Sequence, residues 1–376
     1  MRILFLCLLY HLLLYKHFLR KYAPIQYKII FNFTCKLTFY GDNTLKINLF
    51  SVLILLGCMS IAPQIYAVGF QRATVTAEAP IDIGIWYPSS AAISDEINTP
   101  FRQKLAFNVD PKGDKLTLIV LSHGDGGWMG GHADTALALA EAGYVAVAIT
   151  HPGNNYEDES APPSKWLASR PSDIVETINY MLTSWSHATL LLPDSIGVFG
   201  FSAGGYTALA AAGATLDTER AIQYCATNPA EFVCQVGMMD EIAASSFRSN
   251  ETPLASDPRI KAISIAAPGL GFAFDQQGLT KVAIPVQIWS GALDDRVPHA
   301  SNGQNLINAL PEKADVHIVD DAGHFAFLSP CNPALEAANP RIWQMVCVDA
   351  PGFDRAAFHK KMNAEIIAFF DRTLRK

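Results

Sequence analysis

The stretch "IGVFGFSAGGYTALAAAGA", Ile196–Ala214, passes from a β-branched and aromatic run into an alanine-rich one, and Ser202 stands at the seam. A serine that only caps a helix has no need of glycines two residues away on each side, yet Gly200 and Gly204 flank this one. In a G-x-S-x-G turn the serine is raised on a tight, strained strand-to-helix connection, where side chains at −2 and +2 would strike the neighbouring backbone. The hydroxyl then sits at a helix N-terminus, whose dipole and free N–H groups favour a developing negative charge. This stretch therefore predicts a strand, a nucleophile and a buried helix. It also demands a base, an acid and an oxyanion hole elsewhere in the chain.

A serine hydroxyl is a weak nucleophile until a base removes its proton, and with this turn the partners follow in the order Ser, Asp or Glu, His. Downstream, "SGALDDRVP" follows the apolar run "IPVQIW", and "DDAGHFAFL" follows the next strand-like run. Asp294 stands 92 residues after Ser202, and His324 a further 30. His324 is expected to act as general base and then acid, with Asp294 holding its tautomer. Asp295 is the alternative acid, or a solvent-facing neighbour paired with Arg296; Asp320 and Asp321 read as strand-end turn residues. The oxyanion hole needs two convergent backbone N–H groups. Ala203, after the nucleophile, supplies one; Asp125 in "LSHGDGGWMGGH" supplies the other, with its carboxylate turned away. Trp128 and Met129 are expected to wall the substrate pocket. His123 and His132 raise a metal reading, but no carboxylate or cysteine completes a ligand set, so neither metal nor cofactor is expected.

Around these motifs, strand-like and helix-like runs alternate from Val68 onward. "ATVTAEAP" and "IDIGIWYP" read as an antiparallel pair, and "KLTLIVLSHG" as a strand buried on both faces. "ADTALALAEAG" reads as a helix closed by Gly143, and "RPSDIVETINYMLTSW" as one opening at Pro171. "YVAVAITHPG", "RIKAISIAAPG" and "ADVHIVDDAGH" supply further strands, and Arg355–Arg375 a last amphipathic helix. The pattern predicts an α/β protein with a mostly parallel sheet and helices on both faces. Two excursions, at about 215–257 and 325–353, break the rhythm and are expected over the active site.

Composition narrows the class. Of 376 residues, half are hydrophobic and 17% charged, the mix of a globular enzyme rather than a disordered chain. Residues 1–67 hold seven Lys/Arg and one acidic residue; the rest holds 21 basic and 34 acidic, a net of −13. So acidic a body excludes nucleic acid as a partner and disfavours anionic lipid surfaces. "KINLFSVLILLGCMSIAPQIYA" has the layout of a signal peptide spanning 45–67, with Ile65 and Ala67 at −3 and −1. Its apolar run is short for a span of about 20 residues, so no stable membrane span is expected in the mature form. Residues 1–44 read as a disordered extension or an early start, with Leu45 as a non-AUG start; Leu55–Cys58 is a weak lipobox and gives an anchored alternative. Four cysteines remain after the leader: Cys225, Cys234, Cys331 and Cys347. An even number in an exported chain suggests two disulfides; three pairings are open, and the short separations favour Cys225–Cys234 and Cys331–Cys347.

Taken together, "GFSAGGYTALA", "SHGDGGW", "AITHPGNN", "RPSDI", "DPRIKAISIAAPG", "GALDDRVP" and "AGHFAFLSPC" resemble the α/β-hydrolase fold. More narrowly they resemble the predicted dienelactone-hydrolase-like group, related to the platelet-activating-factor acetylhydrolases. The resemblance runs from about Val68 to the end. It implies a Ser202–Asp294–His324 triad, with Asp125 and Ala203 as oxyanion donors. True dienelactone hydrolases use a cysteine nucleophile; serine here implies a carboxylic ester hydrolase acting on a small-molecule ester, and the signal-peptide layout with the even cysteine count implies a periplasmic or secreted one. Lipid esters fit that reading. Amide, lactone or perhydrolysis chemistry on the same triad, or a silent binding module, are the alternatives, because substrate choice lives in pocket shape.

Overall fold

The computed structural model describes residues 67–248 and 253–375. The expected extension 1–44 and all of the 45–67 leader except Ala67 lie outside the described residues. Among the described residues, nine strands form one sheet in the order β3-β1-β2-β5-β4-β6-β7-β8-β9. They are β1 Val68–Val75, β2 Ile81–Pro88, β3 Ala106–Phe107, β4 Leu116–Ser122, β5 Val145–Thr150, β6 Leu191–Phe201, β7 Ile260–Ala266, β8 Val286–Gly291 and β9 Asp315–Val319. β2 is antiparallel to both β1 and β5, and every pair from β5 across to β9 is parallel. The expected early hairpin and mostly parallel sheet are both present.

Alternation along the central strands builds two cores. Leu118, Val120, Val145, Val147, Ile196, Val198, Ile263 and Ile265 face one side. Ile119, Leu121, Ala146, Ala148, Phe199, Phe201, Ala262 and Ala266 face the other. Period-2 side chains on strands covered on both faces produce this division, and explain why these strands read as continuous apolar runs. Helix α1 (Ala133–Glu141) and the C-terminal helix Arg355–Leu374 cover the second face through Ala136, Leu139, Met362, Ile366 and Phe370. Helices α2 (Pro163–Thr183) and α3 (Ala203–Ala211) cover the first. Every residue of α3 is buried, and its polar side chains Tyr206 and Thr207 are hydrogen-bonded.

Helix α2 corrects one expectation. It does not open at Pro171 but eight residues earlier, with Pro163 in the first turn and Pro171 inside it. An internal proline removes the hydrogen bond to the carbonyl four residues back. That carbonyl, Leu167 O, instead accepts from the Tyr206 hydroxyl at 2.8 Å, from the interior of α3. A buried acceptor left unpaired would cost about 1–3 kcal/mol, so tertiary packing makes the proline tolerable.

Both excursions are helical and tied. The first carries Thr218–Thr227, Phe232–Gln235 and Met238–Ala244, with Met239 and Ile242 buried against the first core. Cys225 pairs with Cys234 inside it, at a Cα separation of 5.2 Å. The second carries Ala334–Ala338 and Pro340–Val346, and Cys331 pairs with Cys347 at 5.8 Å. Among the described residues no helix is long and apolar enough to cross a membrane.

Candidate active site

Ser202 occupies the single-residue step between β6 and α3, with φ +55° and ψ −117°. A left-handed, strained serine is what the flanking glycines accommodate. A methyl group at Gly204 would lie 2.7 Å from the Ser122 carbonyl carbon and 2.8 Å from the His123 carbonyl oxygen, at the end of β4. One at Gly200 would lie 2.5 Å from the Gly204 carbonyl carbon. The two glycines are therefore demanded by close approach of backbones.

Ser202 Oγ is 3.0 Å from His324 Nε2, and His324 Nδ1 is 2.8 Å from Asp294 Oδ2. A carboxylate can only accept, so His324 carries its proton on Nδ1 and offers Nε2 to the serine hydroxyl. The Asp294 side chain has no solvent exposure. Its other oxygen accepts from the backbone N–H groups of Arg296 (3.0 Å) and Val297 (2.7 Å). Asp295 is exposed and lines the cavity beside His324. The Arg296 guanidinium does not pair with it but lies over the rings of Phe232 (4.4 Å) and Phe325 (4.8 Å), joining the first excursion to the His324 loop.

The glycine-rich loop after β4 comes down on the same serine: a methyl group at Gly124 would lie 3.2 Å from Ser202 Cβ. Asp125, the next residue, turns its carboxylate aside, where Oδ1 accepts from Asn154 Nδ2 at 2.6 Å. Ala203 opens α3 directly behind the nucleophile. Trp128 and Met129 are placed differently from the expectation. Met129 is 4% exposed in the second core, where its sulfur approaches Gly84. Trp128 packs on Phe101 and Tyr156. The sequence of this loop reads as pocket wall, but its apolar side chains are needed to seal the core beneath it. The cavity beside His324, of about 390 Å³, is lined instead by Leu293, Arg296, Phe325, Met345 and Val348. Met345 and Val348 flank Cys347, so the second disulfide holds one wall of this cavity.

Two buried polar clusters lie under the site, and sequence reasoning did not identify either. In one, His359 bonds the Ala326 carbonyl through Nε2 (2.9 Å) and Asp134 through Nδ1 (2.7 Å), fastening the His324 loop to α1 and the C-terminal helix. Ser329 Oγ donates to the same aspartate at 2.5 Å. In the other, Ser122 Oγ is 2.9 Å from His151 Nε2, whose Nδ1 is 2.7 Å from Asp173. Burial, with the nearby Arg170 charge, holds His151 well below its ordinary value, while burial raises Asp173 to about 7. His151 is thus neutral. His123 is also held low by burial and by Arg170. Its Nε2 accepts from the His151 amide (3.1 Å), so Nδ1 donates to the Gly124 carbonyl (2.6 Å). His132 is packed edge-on to Phe199 and Phe201, and burial lowers it to about 4. Among the described residues, no group of three or more His, Cys, Asp or Glu is arranged to hold a metal ion.

No family model and no curated protein matches this sequence. Among solved structures, a ferulic acid esterase from Streptomyces cinnamoneus is similar, with a TM-score of 0.56 and 18% identity over 84% of this chain and 92% of that one. A dienelactone hydrolase from Anabaena variabilis aligns at a TM-score of 0.47 and 15% identity, over 82% of this chain and 100% of that one. The architecture shared with the first is the α/β-hydrolase fold.

Proposed function

We propose that this α/β-hydrolase fold carries a serine hydrolase that cleaves carboxylic esters through an acyl-enzyme. One observation carries the reading: the hydroxyl of a strained elbow serine, a histidine and a fully buried aspartate lie in line at 3.0 and 2.8 Å. In this scheme His324 Nε2 takes the Ser202 proton as Oγ attacks the ester carbonyl, and Asp294 stabilises the imidazolium. The tetrahedral oxyanion is received by the N–H groups of Ala203 and Asp125, at the positive end of α3. His324 then protonates the departing alcohol. Water, deprotonated by the same nitrogen, releases the acid from Ser202.

The cavity beside His324 supports an ester with an apolar group of modest size against Leu293, Phe325, Met345 and Val348. The disulfides support an oxidising, extracytoplasmic location, hence an exported protein, periplasmic or secreted. The test is hydrolysis of p-nitrophenyl esters from acetate to palmitate by the purified protein beside Ser202→Ala. Turnover that peaks at one chain length and drops at least about a thousandfold in the variant is expected. Equal turnover by wild type and variant, or none by either, refutes the reading.

A further inference from the structure

Two motifs, "AITHPGNN" (148–155) and "RPSDI" (170–174), have no part in the triad, yet both end under the oxyanion loop. Arg170 lies at their meeting point and has no solvent exposure. Its guanidinium spends its donors on three separate segments. One terminal nitrogen donates to the His123 carbonyl and, at 3.3 Å, to Ser122 Oγ at the end of β4. The other donates to Asn154 Oδ1 at 2.5 Å, and Asn154 Nδ2 in turn holds Asp125 Oδ1. Nε donates to Thr207 Oγ1 at 3.1 Å, and that hydroxyl passes its own hydrogen to the Ala203 carbonyl at 2.8 Å. Both arms therefore end at or beside the residues proposed above as oxyanion donors: the loop arm on the His123 carbonyl and the Asp125 side chain, the helix arm on the Ala203 carbonyl.

We infer that Arg170 is a positioning residue that fixes the two oxyanion donors, Asp125 and Ala203, at one separation and orientation; this rests on the serine-hydrolase reading above. A rigid planar fork suits the task, because it sets the directions of several acceptors at once, which a lysine ammonium cannot do. The brace also resolves the acidic residue beside an oxyanion. Asn154 draws the Asp125 carboxylate outward, and the Arg170 charge offsets it, so the negative charge does not oppose the one developing on substrate. Ser122, His151 and Asp173 form the underside, each with its hydrogen-bonding atoms turned to another member of the cluster. Preorganised donors matter only where charge develops, so loosening the brace affects the transition state and not ground-state binding.

The test compares wild type with Asn154→Leu, which severs the link to Asp125 and leaves the bond to His123, Thr207→Val, which severs the helix arm, and Arg170→Lys, which keeps the charge without the fork. The readouts are kcat and KM on p-nitrophenyl butyrate, the rate of Ser202 labelling by a fluorophosphonate probe, and the folded fraction by thermal unfolding. The tetrahedral phosphonyl oxygen uses the same donors, so labelling reports the hole independently of any ester. Each single-arm variant is expected to lose roughly 10- to 100-fold in both kcat and labelling rate, with KM within about twofold and the protein still folded. Arg170→Lys is expected to fall below either. The inference is overturned if losses only track the folded fraction, if KM rises with kcat unchanged, or if labelling rates stay at the wild-type value. A wild type labelled at Ser202 that turns over no ester sinks the esterase reading alone, and labelling still decides the brace. A wild type left unlabelled overturns both.

Discussion

Gly204→Ala is the sharpest perturbation of the elbow. The added methyl would lie 2.7 Å from the Ser122 carbonyl carbon and 2.8 Å from the His123 carbonyl oxygen. Non-bonded carbon contacts want about 3.5 Å, and the Ser122 carbonyl oxygen lies closer still, so α3 and the end of β4 must part by at least about 0.8 Å. Neither side yields cheaply: α3 is buried throughout, and His123 O is held by Arg170. Overpacking of this kind costs about 1–3 kcal/mol of stability. The functional cost is larger, because the separation runs between the amides of Ala203 and Asp125 and through Ser202, whose bond to His324 spans 3.0 Å. Displacements approaching 1 Å at reacting groups lower rates by about 100-fold. Steady-state kinetics on a p-nitrophenyl ester, with urea unfolding on the same samples, would measure both. Gly352→Ala is the control. It also carries a positive φ, +88°, but nothing lies within 4 Å, so a stability loss of about 1 kcal/mol with unchanged turnover is expected. If Gly204→Ala retained wild-type kcat and stability, the backbone-contact account of the elbow would be wrong.

Asp294→Asn should lower kcat by roughly 10⁴ while Asp295→Asn stays within about twofold, since only the former touches His324; equal effects would refute the assignment. Replacing Cys331 and Cys347 by serine should cost about 3 kcal/mol in urea unfolding, given their sequence separation of 16. It should also raise KM with kcat little changed, because Met345 and Val348 line the cavity; an unaltered KM would sever that segment from substrate binding. His123, His132 and His151 are lowered chiefly by burial and stay neutral when folded, but take up protons near 6.5 when unfolded. The unfolded chain then binds more protons, so their contribution is present above about 6.5 and is lost as pH falls. Asp173, raised to about 7 by burial, opposes them between roughly 4 and 7, where the folded state holds the extra proton. Near pH 5 the three histidines outnumber the one aspartate, so protons are taken up on unfolding and stability rises with pH there. His132→Phe should lower this slope, and an unchanged slope in that variant would contradict the burial argument.

Much of this protein is legible in one dimension, and for reasons of local geometry. Gly200-x-Ser202-x-Gly204 reports a backbone that must pass close to its neighbours, a requirement written wherever a Cβ is missing. Runs such as Leu116–Ser122 and Val145–Thr150 report burial on both faces, and from them the parallel sheet and the placement of Asp294 and His324 after strand ends follow. What the sequence left open are choices between chemically equal neighbours. Asp294 and Asp295 differ only in which one the chain turns inward, toward the amides of Arg296 and Val297 and the His324 ring. Cys225 and Cys331 have partners because folding brings the Cα atoms of each pair within 6 Å. Met129 looks like pocket lining until the core beneath claims it. Pro171 looks like a helix start because the hydroxyl that compensates it comes from Tyr206, 35 positions on. Arg170 reads as one more charged residue on a helix until Ser122, His123, Asn154 and Thr207 converge on it from three separate segments. Local backbone demands are encoded beside the residues that make them, whereas the burial of a charge is decided by which distant groups arrive to satisfy it.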